Sequence, residues 1–309
     1  MADFKDTVCK LFKSVDIEVN GSRPLDIQVH NKLFYSRILS GKSLGLGESY
    51  MDGWWDCEAL DQFSYQMLRG RIDKQVKPSS PAFFVPYIRA YFLNSQSKKR
   101  AYIVGKEHYD TGNDLFSLML DQRMNYSCGY WKIAENLDQA QVHKLDLVCR
   151  KLHLKPGMKV LEIGCGWGGF AKYAAKNYGV SVHGVTVSQE QMEYAEQSCR
   201  GLETVFELKD YRELNTKYDS IVSIGMFEHV GYKNYRSYME VARRCLSDNG
   251  LFLLHTIGRN TSTRATDPWT NKYIFPNGMI PSAEQISKSA QGLFVIEDWH
   301  NFGQDYDPT

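Results

Sequence analysis

The chain has 309 residues, enough for one large domain or two modest ones with a sizeable buried core. With 37 basic against 36 acidic residues its net charge is +1, which leaves no case for bulk nucleic-acid binding and puts partner choice on local patches. The seven cysteines include no Cys-x-x-Cys pair and the eight histidines no metal motif, so a reducing cytoplasm and no metal are expected; no apolar run approaches the ~20 residues that span a bilayer and the start carries no signal-peptide core, so membrane contact is expected to be peripheral.

Phe4, Val8, Leu11 and Phe12 recur at helical spacing, Asp26 to His30 alternates as a short strand, and Asn31 to Gly41 reads as helix. Leu44 to Trp55 is glycine-punctuated and aromatic, the pattern of a tightly packed turn, and Leu60, Phe63, Met67 and Leu68 give one more amphipathic helix closed by Gly70. Residues 71 to 81, rich in Lys, Ser and Pro, read as linker. The organisation expected is therefore a small, mainly helical domain over 1–78, a connection over 79–97 and a larger domain over 98–309. Ala82 to Leu93 is apolar and aromatic and runs into Lys98, Lys99, Arg100 and Lys106. Two readings stand for it: an interfacial element on anionic lipid, or a helix packed between domains with a solvated basic end.

Val160 to Gly169 reads Val-Leu-Glu-Ile-Gly-Cys-Gly-Trp-Gly-Gly. An apolar run from Lys159 to Ile163 predicts a buried parallel strand, and the glycines turn it into a helix near Gly169, a cradle for a cofactor. Gly164, Gly166 and Gly169 satisfy G-x-G-x-x-G. A nicotinamide site needs its ribose-binding acid at the end of the next strand, about 20 residues on. Ser181 to Thr186 ends without one. The acid is Glu162, at the end of the first strand, where it suits the ammonium of an amino-acid tail and so favours S-adenosylmethionine.

Helix 189 to 199, strands 204 to 208 and 220 to 224, helix 235 to 246 and, after an Asn249-Gly250 turn, strand 251 to 256 complete a doubly wound α/β domain. Ligands in such sheets gather beyond the carboxyl ends of the strands. Glu162, Thr186, Asp210, Glu228 and His255 all lie at or just after such ends.

Glu107 to Trp131, the glycine cradle, Leu44 to Trp55, Met226-Phe-Glu-His-Val-Gly231, Leu253 to Gly258 and Asn271 to Gly278 together resemble the cyclopropane-fatty-acyl-phospholipid synthases, a family that includes the mycolic acid cyclopropane synthases. The resemblance spans essentially the whole chain. It implies a class I S-adenosylmethionine-dependent methyltransferase with a Rossmann-like sheet, cofactor contacts from Tyr126, Ser127, Glu162, Gly164, Cys165, Gly166, Trp167, Gly168, Thr186, Val187, Ser188, Gln191, Asp210 and Tyr211, and a homodimer formed through the small domain. Gln191 can serve ribose hydroxyls and Asp210 can accept from the adenine amino group.

The same resemblance implies transfer of a methylene to the cis double bond of a phospholipid acyl chain. The alkene takes the sulfonium methyl, and a base then removes a proton from that methyl so that the ring closes. Bicarbonate is the implied base, held by Cys128, Glu228, His255, Ile257 and Tyr306. Glu228 would share a proton with the anion, while His255 and Tyr306 would donate to its other oxygens and backbone at Ile257 would contribute. Cys128 equally suits an apolar wall. Aromatic faces near 126 to 131 would steady the cation by about 0.5 to 2 kcal/mol.

The family's chains continue past Asp305-Tyr-Asp307, adding the last antiparallel strand of the sheet, so the expectation is a fragment in which strand Phe294 to Asp298 lacks its neighbour. Methyl transfer without ring closure, or an inactive lipid-surface protein, are the competing readings. The expected location is the cytoplasm, peripherally on the inner face of the cell membrane.

Overall fold

The computed structural model describes residues 4–72 and 113–309. The readings placed on 73–112, including the linker, the aromatic segment and the basic cluster, lie outside the described residues. Two compact units emerge. Among the described residues the first holds 4–72 together with Asp267–Ile274, and the second holds 113–266 and Phe275–Thr309.

In the first unit α1, Phe4–Lys13, has Asp6 in its first turn and Lys10 and Lys13 in its last, the charges that oppose the helix dipole, and it buries Val8 and Phe12. A two-residue antiparallel pair, β1 (Gln28–Val29) with β2 (Trp55–Asp56), sits beside α2 (Phe34–Met51) and α3 (Leu60–Arg69). Their shared core is Val8, Phe12, Val15, Ile17, Ile27, Phe34, Trp55 and Phe63, where each large apolar side chain contributes about 2 kcal/mol by leaving water. Gly70 caps α3 as expected.

The expectation of a turn from Leu44 is corrected. Helix α2 breaks at Lys42 (φ 50°) and then continues to Met51. Arg37 ties the two halves, donating to Glu48 at 3.0 Å and Asp52 at 2.5 Å. That tie is tertiary and has no local signature.

The second unit is built on five parallel strands: β3 (Lys159–Ile163), β4 (Ser181–Thr186), β5 (Thr204–Leu208), β6 (Tyr218–Ile224) and β7 (Leu246–His255), in the order β5-β4-β3-β6-β7. Helices α4 (Asn113–Met119), α5 (Leu137–Lys151), α6 (Gly169–Tyr178), α7 (Gln189–Ser198) and α8 (Tyr235–Cys245) accompany the sheet, followed by α9 (Pro268–Tyr273), which belongs to the first unit, and α10 (Ala283–Ala290). One core packs α5, α6 and α7 on β3 and β4; the other packs α8 on β3 and β6. Caps fix helix starts, with Asn136 on α5 and Ser188 on α7 each accepting a backbone amide.

Two further expectations are corrected. Asn249-Gly250 is no turn but lies within β7, which begins at Leu246 and bulges against Tyr218 and Ser220. Phe294 to Asp298 is not a strand: no described segment pairs with it as one, and Val295 is 85% exposed, while Phe294 packs its tilted ring on Phe252 and Asp298 pairs with Lys151. No helix among the described residues is long and apolar enough to cross a membrane.

Candidate active site

The strand order reverses between β3 and β6, and a cavity opens at their carboxyl ends, as the topology of such sheets dictates. At the end of β3 the chain turns through Gly164 (φ +82°), where a Cβ would stand 2.5 Å from Met226 Cγ, so no other residue fits without displacing that wall. Gly169 plays the packing role of the third glycine: a Cβ there would lie 2.7 Å from the Arg123 carbonyl oxygen. The loop from Asp121 to Ser127 can therefore close directly over the start of α6.

Of the residues expected to touch a cofactor, Tyr126, Ser127, Glu162, Gly164, Cys165, Gly166, Trp167, Thr186, Val187, Ser188, Gln191, Asp210 and Tyr211 all line this one cavity. Gly168 does not; in the left-handed conformation it caps α6. Thr186 Oγ1 donates to Gln191 Oε1 at 3.0 Å, which leaves the Gln191 amide hydrogens for a ligand. Asp210 accepts the Arg212 amide at 2.9 Å and its guanidinium at 2.8 Å, so it faces the cavity already paired but with lone pairs to spare. Trp167 is held by Asn113 Oδ1 at 2.7 Å and by the Phe116 ring.

Glu162 is 3% exposed, and its Oε2 has no hydrogen-bond partner among the described residues. Burial pushes its carboxyl well above the usual carboxylate range, against the pull of the Lys144 charge and the Ala171 amide. A cationic group in the cavity would satisfy Oε2 and restore the ionised form, so the site fits an ammonium-bearing ligand.

Cys128, Glu228, His255, Ile257 and Tyr306 do not line this cavity but cluster immediately behind it. Cys128 follows Ser127, Glu228 lies two residues past Met226, and the His255 carbonyl accepts the amide of Gly225, another lining residue, at 3.0 Å. The Ile257 amide donates to Glu228 Oε1 at 2.7 Å, so it holds the carboxylate and is not free for an anion. Glu228 Oε2 and His255 Nδ1 are both shielded from solvent without a partner among the described residues. Burial raises Glu228 above its ordinary range and pulls His255 down to about 3, so the imidazole is neutral at working pH. The Tyr306 hydroxyl is pushed up by burial and by the neighbouring Cys128 and Glu228, and it stays a donor. Cys128 is raised to about 11 by burial and remains a thiol.

Several lining residues are not among those expected from sequence: Asn125, Lys209, Arg212, Met226, His229, Pro276 and Asn277. Lys144 is also new. It is 1% exposed, on the buried face of α5, and donates to Ser127 Oγ at 2.8 Å. A lysine at apolar-stripe spacing with Leu145, Val148 and Cys149 was the available signal.

Residues 96–309 match the family model described as mycolic acid cyclopropane synthetase. The cyclopropane-fatty-acyl-phospholipid synthase of Escherichia coli strain K12 is 56% identical over 303 residues, 97% of this chain and 78% of that protein. The cyclopropane synthase MmaA2 from Mycobacterium tuberculosis superposes with a TM-score of 0.63 at 31% identity, covering 66% of this chain and 79% of that one. The mycolic acid cyclopropane synthase CmaA1, solved as a complex with SAH and CTAB, gives a TM-score of 0.59 at 32% identity, covering 64% of this chain and 76% of that one.

Proposed function

This chain belongs to the mycolic acid cyclopropane synthetase family of S-adenosylmethionine-dependent methyltransferases, and from that premise we propose that it converts the cis double bonds of phospholipid acyl chains into cyclopropane rings, with bicarbonate as the base. The observation that carries this reading is the adjacency of two differently built sites. One is a cavity whose buried acid, Glu162, has an oxygen without a hydrogen-bond partner among the described residues; the other is a cluster in which Glu228 Oε2 and His255 Nδ1 are likewise shielded and without a partner among the described residues.

When bound, S-adenosylmethionine supplies an electrophilic methyl, which the alkene accepts before that methyl loses a proton and the ring closes, leaving S-adenosylhomocysteine. The protein's part is positioning and exclusion of water, because a hydrocarbon offers no polar handle. Tyr126 lines the cavity, stacks edge-on against Phe116 and lies near Phe275, so aromatic faces border the route a chain would take.

The cluster fits an anion that carries its own proton. A fully ionised neighbour would be repelled by Glu228, whereas bicarbonate can offer its hydroxyl to that carboxylate. His255 in its neutral form has one nitrogen to donate, and Tyr306 keeps its hydroxyl proton. Glu228, locked by the Ile257 amide, then orients the anion without being the base itself.

We further propose a cytoplasmic enzyme that docks peripherally on anionic membrane through Lys98, Lys99, Arg100 and Lys106, with the small N-terminal domain serving lipid contact and dimerisation. The test is incubation with S-adenosylmethionine and unsaturated phospholipid vesicles. Acyl chains that gain a ring support the reading, and chains that gain only a methyl branch, or nothing, count against it.

A further inference from the structure

Helix α5 carries a charge inside its apolar stripe. Ala140, Leu145, Val148 and Cys149 form the buried face, and between them stand Gln141 and Lys144, each 1% exposed. Lysines are almost never buried this deeply unless paired. Yet the hydrogen-bond partners of Lys144 are neutral: Ser127 Oγ at 2.8 Å and Asn125 Oδ1 at 3.5 Å, while Asp121 and Glu162 act on it only through their fields.

Ser127 is correspondingly committed. Its carbonyl accepts from Gln141 Nε2 at 2.8 Å and its Oγ accepts from Lys144, so its own hydroxyl proton is left to point elsewhere. Both Ser127 and Asn125 line the cavity that holds Glu162. Asp121 fixes the loop between them, accepting the Asn125 amide at 2.7 Å. A hydroxyl that accepts from an ammonium is a stronger donor than an ordinary serine.

The amino-acid tail of S-adenosylmethionine is a zwitterion. Glu162 answers its ammonium, and the tail carboxylate needs a positive counterpart in the same low-dielectric wall. We propose that Lys144 is a positioning residue for that carboxylate, acting through the polarised hydroxyl of Ser127 and so completing a charge pattern of which Glu162 is the other half. This rests on the reading that the cavity takes S-adenosylmethionine. Burial pulls the free ammonium down to about 8, and an added carboxylate nearby would hold it protonated.

The test compares S-adenosylmethionine with its decarboxylated analogue, which keeps the sulfonium and the ammonium but lacks the carboxylate, by calorimetry on the full chain. Wild type should prefer S-adenosylmethionine, and Lys144→Met should lose at least about 10-fold in affinity for it while binding the analogue as wild type does. Ser127→Ala, a change at a less buried position, should show the same selective loss and carries the test if Lys144→Met has no cooperative melt. Equal losses for both ligands would make Lys144 merely structural and overturn the inference, as would no loss for either. A wild type that binds neither ligand would instead overturn the cofactor reading itself.

Discussion

The Ile257 amide donates to Glu228 Oε1 at 2.7 Å, so backbone fixes one carboxylate oxygen while its twin, Oε2, stays shielded and without a partner among the described residues. A side chain held this way is aimed, and its free oxygen is the feature that a proton-bearing anion would satisfy.

Glu228→Gln keeps one acceptor oxygen, which can serve the Ile257 amide or a bicarbonate hydroxyl, but it puts an amide donor at the other position and loses the charge. Turnover should fall by about 100-fold or more while cofactor affinity holds, and raising bicarbonate should recover part of the loss. Steady-state kinetics across a bicarbonate series measures this. A loss that no bicarbonate concentration relieves would make Glu228 the base.

Glu162 and His255 should impose opposite pH dependences on the stability of the ligand-free protein. Burial raises the Glu162 carboxyl, so the unfolded chain ionises near 4.5 while the folded chain resists, and stability is lost as pH rises from that point. Glu162→Gln should remove this slope and weaken S-adenosylmethionine binding by about 10- to 100-fold. Denaturant unfolding over pH 4 to 8, with calorimetry, reads both; unchanged affinity would remove Glu162 from the ammonium site.

His255 is depressed to about 3, so between about 6.5 and 3 the unfolded chain takes up a proton that the folded chain refuses. Its stability contribution is present above 6.5 and declines as pH falls through that window, by up to about 1.4 kcal/mol per pH unit. His255→Gln should flatten the acid limb. An imidazole that titrates near 6.5 by NMR would contradict the buried, neutral histidine on which the anion site depends.

Association with vesicles should require anionic lipid and weaken with salt. Replacing Lys98, Lys99, Arg100 and Lys106 by glutamine should cost about 1 kcal/mol for each residue that sits at the surface. Sedimentation with neutral and anionic vesicles across a salt series is the check, and equal binding to both would assign the cluster another role.

The glycine cradle was legible because its determinants are local: an apolar run, an acid at its end and glycines at fixed offsets. The parallel order followed from strands alternating with helices. What the sequence did not disclose depends on long-range partners. Helix resumes after the break at Lys42, where Arg37 reaches across to Glu48 and Asp52, β7 starts early because a bulge absorbs Asn249 and Gly250, and no described strand lies beside Phe294 to Asp298. Lys144 reads in isolation as a solvated helix charge; its place in the apolar stripe of α5 is a weak local signal, and the packing of α5 beneath Ser127 gives it its partner. Backbone donors such as Ile257 carry no side-chain signature at all.

Ring closure is the central claim, and isotope retention tests it most directly. With S-adenosylmethionine carrying a fully deuterated methyl and vesicles of monounsaturated phospholipid, mass spectrometry of the released acyl chains should find a saturated ring that keeps two of the three deuteriums, because the third leaves with the base. A methyl or methylene branch in place of a ring would contradict the account, and so would binding of the cofactor with no change in the lipid.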